Sequence, residues 1–172
     1  ERFFQLVMMR SGGIFQSTNY SNDCEVSHTT IANYLKVMEA TYTAYVLKPF
    51  HKRKSTEIIS APKVYAFDTG FTSYFNGWAE LRDQDIGNCW EQFVLNELIA
   101  KLQGTGTHIN YWRDKQEHEI DFIINKRGQQ PIAIECKWQD KNHDLKNIEV
   151  FNRHYPQAKI FIVCNDVQKI RP

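Results

Sequence analysis

The sequence has no run approaching the roughly 18 consecutive apolar residues of a membrane span, and no signal peptide opens it, so a membrane is not among the expected partners. It also has no excess of charge. Twenty-one Lys+Arg stand against 20 Asp+Glu, a net charge of +1. Such a balance creates no global field toward nucleic acid, so any basic surface must be local. Cysteines are few: Cys24, Cys89, Cys136 and Cys164 are scattered with no CxxC and no short Cys–His spacing. That argues against structural zinc, which needs clustered soft ligands. Cys136 and Cys164 sit in apolar runs and read as small buried hydrophobes, and reduced thiols in a cytoplasmic setting are the simplest account. No GxxxxGK[ST] occurs, so these residues form no Walker phosphate loop. Internal repeats and low-complexity tracts are absent, and no Ser–His spacing suggests a nucleophile and its base.

What is present suits a folded chain. The 172 residues are 42% apolar and 24% charged, with 11 Phe, 8 Tyr and 4 Trp, enough to bury a core in one ordinary domain or two small ones. The first residues already read as helix, so the chain is expected to be part of a longer protein. Phe3, Phe4, Leu6, Val7 and Met8 predict a short buried helix stopped at Ser11-Gly12-Gly13. A second short helix is expected over Ser17 to Cys24. Ile31, Tyr34, Leu35 and Met38, spaced by three and four, mark one face of a third helix with Ser27 as its N-cap. His28, Asn33 and Lys36 fall on the opposite face. Thr43 to Phe50 and Glu57 to Phe67 then read as two strands around His51-Lys52-Arg53-Lys54-Ser55, the densest basic run in the chain. Three helices and a basic-tipped hairpin make a winged-helix-like unit, expected over residues 1–68. In such modules the third helix can enter a major groove while the wing contacts phosphates. Lys36, Lys52, Arg53 and Lys54 are therefore the candidate nucleic-acid contacts, although a third helix with one lysine is poor for reading bases. The alternative is a helix that only packs on its hairpin, with a solvated basic turn.

Residues 69–172 read as α/β. Asp68-Thr69-Gly70 is expected as a turn with a positive-φ glycine, and Phe71 to Asn76 as a short helix. The strongest helix is Asn88 to Leu102, with Trp90, Phe93, Val94, Leu98 and Leu102 as its apolar stripe. Strands are expected over His108 to Arg113, His118 to Asn125 and Pro131 to Trp138. An amphipathic helix follows at about Asn142 to His154, then a strand over Lys159 to Cys164. Strand, helix, strand favours a parallel crossover, giving a mixed sheet flanked by helices.

The chemistry concentrates on the central hairpin. By alternation, Ile120, Phe122, Ile124, Ile132, Ile134, Cys136 and Trp138 form a core face, and Glu119, Asp121, Glu135 and Lys137 the other. A turn centred on Gly128 sets Asp121 opposite Glu135, and Glu119 opposite Lys137. Facing carboxylates repel, so either one takes up a proton or a cation sits between them, and hard oxygen donors suit Mg²⁺ or Mn²⁺. Glu91 adds a third acid at the edge of a helix stripe, where a half-buried charge needs a partner. For Glu119, Lys137 and Arg113 are both open as partners. Trp112 and Trp138 are expected to pack, with base stacking as the alternative; His28 is expected to be solvated, and His118 should point away from Asp121.

An acid on a helix, then Asp, then Glu-x-Lys on adjacent strands resembles the PD-(D/E)XK nuclease superfamily. The wider pattern is Ala61-Pro62-Lys63-Val64-Tyr65-Ala66-Phe67-Asp68-Thr69-Gly70, Gly87 to Leu98 with Glu91, Tyr111-Trp112-Arg113, Glu119-Ile120-Asp121-Phe122 and Ile134-Glu135-Cys136-Lys137. It resembles the DUF4143 region, the C-terminal part of a family of prokaryotic AAA+-like ATPases. Ile120 stands where the superfamily often has Pro. The resemblance implies a restriction-endonuclease-like sheet whose catalytic residues are Glu91, Asp121, Glu135 and Lys137. Asp121, Glu135 and Glu91 would be the metal-site acids, and the carbonyl of Cys136 a further ligand. It implies Mg²⁺ (or Mn²⁺) as cofactor, DNA as partner, and metal-assisted phosphodiester hydrolysis with Lys137 orienting water or stabilising developing charge. ATP would belong only to an upstream ATPase domain, itself an expected partner. The competing expectations are a non-catalytic DNA- or protein-binding module regulating that ATPase, since fold does not fix function, and a homo-oligomerisation region.

Overall fold

The computed structural model describes residues 1–51, 61–139 and 145–166. The expected wing residues Lys52, Arg53 and Lys54 lie outside them. The chain divides into two compact units, Glu1–Leu47 with Ala61–Phe93, and Lys48–Ser60 with Val94–Pro172. The sequence suggested a division after residue 68. The helix after residue 68 packs on the first helix.

That first unit opens with α1 (Arg2–Met9), which buries Phe3, Val7 and Met8. A two-residue strand, β1 (Gly13–Ile14), comes next, then α2 (Ser17–Cys24) and α3 (His28–Ala40). Ser27 caps α3 as expected, its side chain accepting from the Thr30 N–H at 3.1 Å. The buried face of α3 is Ile31, Leu35 and Met38, while Tyr34 is 47% exposed at the rim beside Phe3. β2 (Ala44–Leu47) and β3 (Lys63–Ala66) pair antiparallel. β3 also pairs with β1, giving the order β1-β3-β2. Three helices and an antiparallel strand pair follow in the expected order, and the expected basic tip between the two strands lies outside the described residues. Phe3, Val7, Met8, Tyr20, Ile31, Val64 and Ala66 share one core.

Asp68 and Gly70 differ from expectation. Asp68 is the N-cap of α4 (Thr69–Asn76), its Oδ1 accepting from the N–H groups of Gly70 and Phe71 at 2.8 and 3.2 Å. Gly70 has no positive φ. Its role is close approach, since a Cβ there would lie 2.8 Å from Asp68 Oδ1. Phe71 and Phe75 then meet Phe4 of α1 edge-on. The long helix α5 (Asp83–Leu102) begins five residues before the expected start. Its buried residues include Gln92, Val94 and Leu95, whereas Phe93 is 49% exposed, so the expected stripe is rotated.

The second unit carries β4 (His108–Arg113), β5 (Glu119–Asn125), β6 (Ile132–Lys137), α6 (Lys146–His154) and β7 (Lys159–Cys164). The sheet order is β4-β5-β6-β7. The first two pairings are antiparallel, and β6–β7 is parallel across α6. The result is the expected mixed sheet of an α/β fold. Gly128 has φ +79°, and β5 pairs with β6 through Phe122↔Ile134, Ile123↔Ala133 and Ile124↔Ile132, the register expected from a turn centred there.

The single core face was too simple. Between the pairs Asn110↔Ile123 and Trp112↔Ile120, β5 has two residues, Asp121 and Phe122, against one on β4, Tyr111. This is a β-bulge, which breaks the alternation. Ile120 and Ile123, three apart, therefore join one cluster with Trp112, Ala133 and Phe151 of α6. Phe122 and Ile134 are also buried, so both faces of the central strands are covered, as in α/β sheets generally. Among the described residues, no helix is long and apolar enough to cross a membrane. All four cysteines are half-buried, including Cys136 and Cys164, expected to be small buried hydrophobes.

Candidate functional site

Asp121 sits in the bulge of β5, where the altered twist re-aims its side chain toward β6. Its Oδ2 accepts a hydrogen bond from the Cys136 N–H at 2.7 Å. On β6, Glu135 and Lys137 are two residues apart and so share a face. The Lys137 Nζ donates to Glu135 Oε1 at 2.8 Å. Glu135 is 5% exposed. A carboxylate buried that deeply requires a partner, and Lys137 supplies a positive one. The lysine's own side chain remains 36% exposed. Burial alone would lower the Lys137 pKa. The hydrogen bond and charge of Glu135, reinforced by Asp121 and then Cys136, outweigh burial and hold it above the ordinary lysine value.

The structure thus brings three of the four expected catalytic residues, Asp121, Glu135 and Lys137, onto neighbouring positions of β5 and β6. Glu91 has other company. Its Oε1 accepts from Lys63 Nζ at 3.0 Å and from the Tyr65 hydroxyl at 2.5 Å, within the first unit. The Lys63 side chain is only 5% exposed, so Glu91 is the counter-ion of a buried lysine. Sequence reasoning missed these two partners. The available signal was their i, i+2 spacing on a strand, which puts both side chains on one face.

Of the remaining expectations, Glu119 finds Arg113, with Oε2 accepting from Nη1 at 3.1 Å. His118 is turned to Asp114, its Nδ1 2.8 Å from Oδ2. Trp112 is core, edge-on to Phe151, and Lys36 is exposed on α3, as is His28.

Among the described residues, no three His, Cys, Asp or Glu side chains converge as around a metal ion. The two-carboxylate donor set nevertheless fits the ion that the resemblance implies. Mg²⁺ is commonly held by one or two carboxylates, with waters and substrate phosphate completing its shell.

A mixed sheet with an acid pair and a lysine on its central strands defines an α/β domain with a polar, sheet-borne site. The chain belongs to the DUF4143 family, described as a domain of unknown function, whose profile matches residues 86–171. A second domain of unknown function, DUF8612, matches residues 1–82. Two uncharacterised proteins, one from Mycobacterium tuberculosis (strain H37Rv) and one from Mycobacterium bovis, are each 28% identical over 130 residues, 73% of this chain. The chain spans 29% of the length of those relatives. Among solved structures, the Thermococcus gammatolerans assembly of McrB AAA+ hexamers with bound McrC aligns over 98% of this chain and 41% of that one, at 11% identity and a TM-score of 0.39.

Proposed function

We propose that the second unit is a divalent-metal-dependent phosphodiesterase acting on DNA. The observation that supports this most is the juxtaposition of Asp121 and Glu135 with Lys137, whose Nζ is 2.8 Å from Glu135 Oε1. Asp121 and Glu135 would hold Mg²⁺ or Mn²⁺, with the Cys136 carbonyl as a further ligand. When bound, the ion supplies Lewis acidity and a water of lowered pKa. The chain's own residues do the rest. The Cys136 N–H orients the Asp121 carboxylate. Lys137 carries a positive charge at the mouth of the site, where it positions the attacking water or stabilises charge developing on the phosphate. In this reading Glu91 acts on Lys63 instead of the reacting atoms. Lys36 with Lys52, Arg53 and Lys54 would seat the DNA backbone. Family membership supports placing the chain within an AAA+-type ATPase, with ATP binding confined to a segment outside this sequence.

One observation favours a second reading, a non-catalytic DNA- or protein-binding module of that ATPase: the expected helix acid, Glu91, is already engaged with Lys63 and Tyr65. Incubation of plasmid DNA with Mg²⁺ or Mn²⁺ separates the two. The hydrolytic reading expects cleavage by the parent chain and a loss of about 10²-fold or more in Asp121→Ala and Lys137→Ala. DNA retardation without cleavage, or equal cleavage by the variants, would sink it.

A further inference from the structure

We propose that Lys137 is the resident counter-ion of the acidic site and competes with the divalent cation for Glu135, so that metal binding is what releases Lys137 toward substrate. The inference rests on the metal-site reading above and concerns how that site is controlled. Glu135 is buried on the strand, its side chain 6% exposed. Its Oε1 accepts from an ammonium two residues further along the same strand at 2.8 Å. A carboxylate oxygen coordinates a metal through the lone pairs with which it accepts a hydrogen bond, so one Oε1 cannot serve both cations fully. An ammonium and a dication a few ångströms apart also repel.

Lys137 is built to yield. Its four-carbon stem is flexible, and a third of the side chain already meets solvent. Asp121 accepts in addition from the uncharged Cys136 N–H at 2.7 Å, a backbone donor that fixes its orientation. The asymmetry assigns separate tasks. Asp121 is a preset ligand, whereas the Oε1 of Glu135 becomes available only as Lys137 leaves. Before metal arrives, Lys137 keeps the buried carboxylate neutralised. Afterwards its charge is free for a phosphate, so a positive group is presented to DNA only when the ion needed for hydrolysis is in place.

The test uses the full chain, and Mn²⁺ binding is followed by calorimetry in the parent, Lys137→Met and Asp121→Asn. Competition predicts that Lys137→Met binds Mn²⁺ about tenfold more tightly, the direction set by removing a like charge from the cation's side. Asp121→Asn should abolish binding. A second arm needs no variant. Mass spectrometry follows acylation of the Lys137 amine in the parent, with exposed Lys36 as internal reference, and saturating Mn²⁺ should raise Lys137 labelling at least about twofold relative to Lys36. Should Lys137→Met fail to fold, this arm decides alone. Asp121-dependent binding with affinity unchanged or weakened in Lys137→Met, or labelling indifferent to Mn²⁺, overturns the competition and leaves the metal site standing. Absence of any Asp121-dependent Mn²⁺ binding overturns the site itself, and this proposal with it.

Discussion

Glu91 shows how one side chain's company decides its role. Its Oε1 meets Lys63 Nζ at 3.0 Å and the Tyr65 hydroxyl at 2.5 Å, and the Lys63 ammonium is almost wholly removed from water. Removing one partner of a buried pair costs about 3–5 kcal/mol, because the charge left behind stays desolvated. Glu91→Ala should therefore lower the unfolding free energy measured by urea denaturation by an amount in that range, and Glu91→Gln by less, since the amide oxygen still accepts from Tyr65. A metal-ligand role predicts the opposite pattern. Relief of carboxylate repulsion would leave stability unchanged or raised, and Mn²⁺ affinity would fall. Denaturation and calorimetry on the same two variants distinguish these outcomes.

At the scale of elements, the β4–β5 connection is organised by one carboxylate. Asp114 Oδ1 accepts from the N–H groups of Gln116 and His118 at 2.8 and 2.9 Å, and Oδ2 lies 2.8 Å from His118 Nδ1. Burial pushes the Asp114 carboxyl up, but His118, through its ring and its N–H, and then Gln116 more than offset this and hold it below the usual aspartate range. A depressed acid contributes stability that is present above its unfolded value, about 3.9, and is lost as pH falls through its folded value. The stability gap between the parent and Asp114→Asn should thus be largest near neutrality and shrink below about pH 4. A gap constant between pH 7 and pH 2.5 would remove Asp114 from this role. The same hairpins show what the sequence made legible. Alternating strands bounded by turn residues give β4 and β7 their observed bounds, and a turn centred on Gly128 gives the observed β5–β6 register. The bulge at Asp121 and Phe122 was not legible, because an extra residue in one strand is visible only against its partner. β1 is two residues long and cannot display a period. The start of α5 was missed because its first turn is polar: Asp85 accepts from the Arg82 N–H and guanidinium, a local closure that leaves no apolar repeat. Within the site, the pairing of Asp121, Glu135 and Lys137 was legible because strands of period two fix faces. Glu91 misled because its partners come from a distant strand, which helix periodicity does not encode.

For the whole molecule, the decisive quantity is the charge balance of +1. A nearly neutral chain cannot gather DNA through a long-range field, so binding under the proposed function must depend on a few local phosphate contacts. Lys36, Lys52, Arg53 and Lys54 are the candidates, and each neutralised phosphate contributes about −0.9 to the slope of log K against log salt. Duplex binding followed by fluorescence anisotropy should therefore give a slope of about −3 to −4. Lys52→Ala/Arg53→Ala should make it shallower by about two, with a roughly uniform loss across sequences, because phosphate contacts position without reading bases. A slope steeper than about −6, or one indifferent to this double substitution, would move the DNA-contacting surface away from the winged-helix-like unit. The proposed sheet-borne site would then have to meet its substrate by contacts other than the expected wing residues.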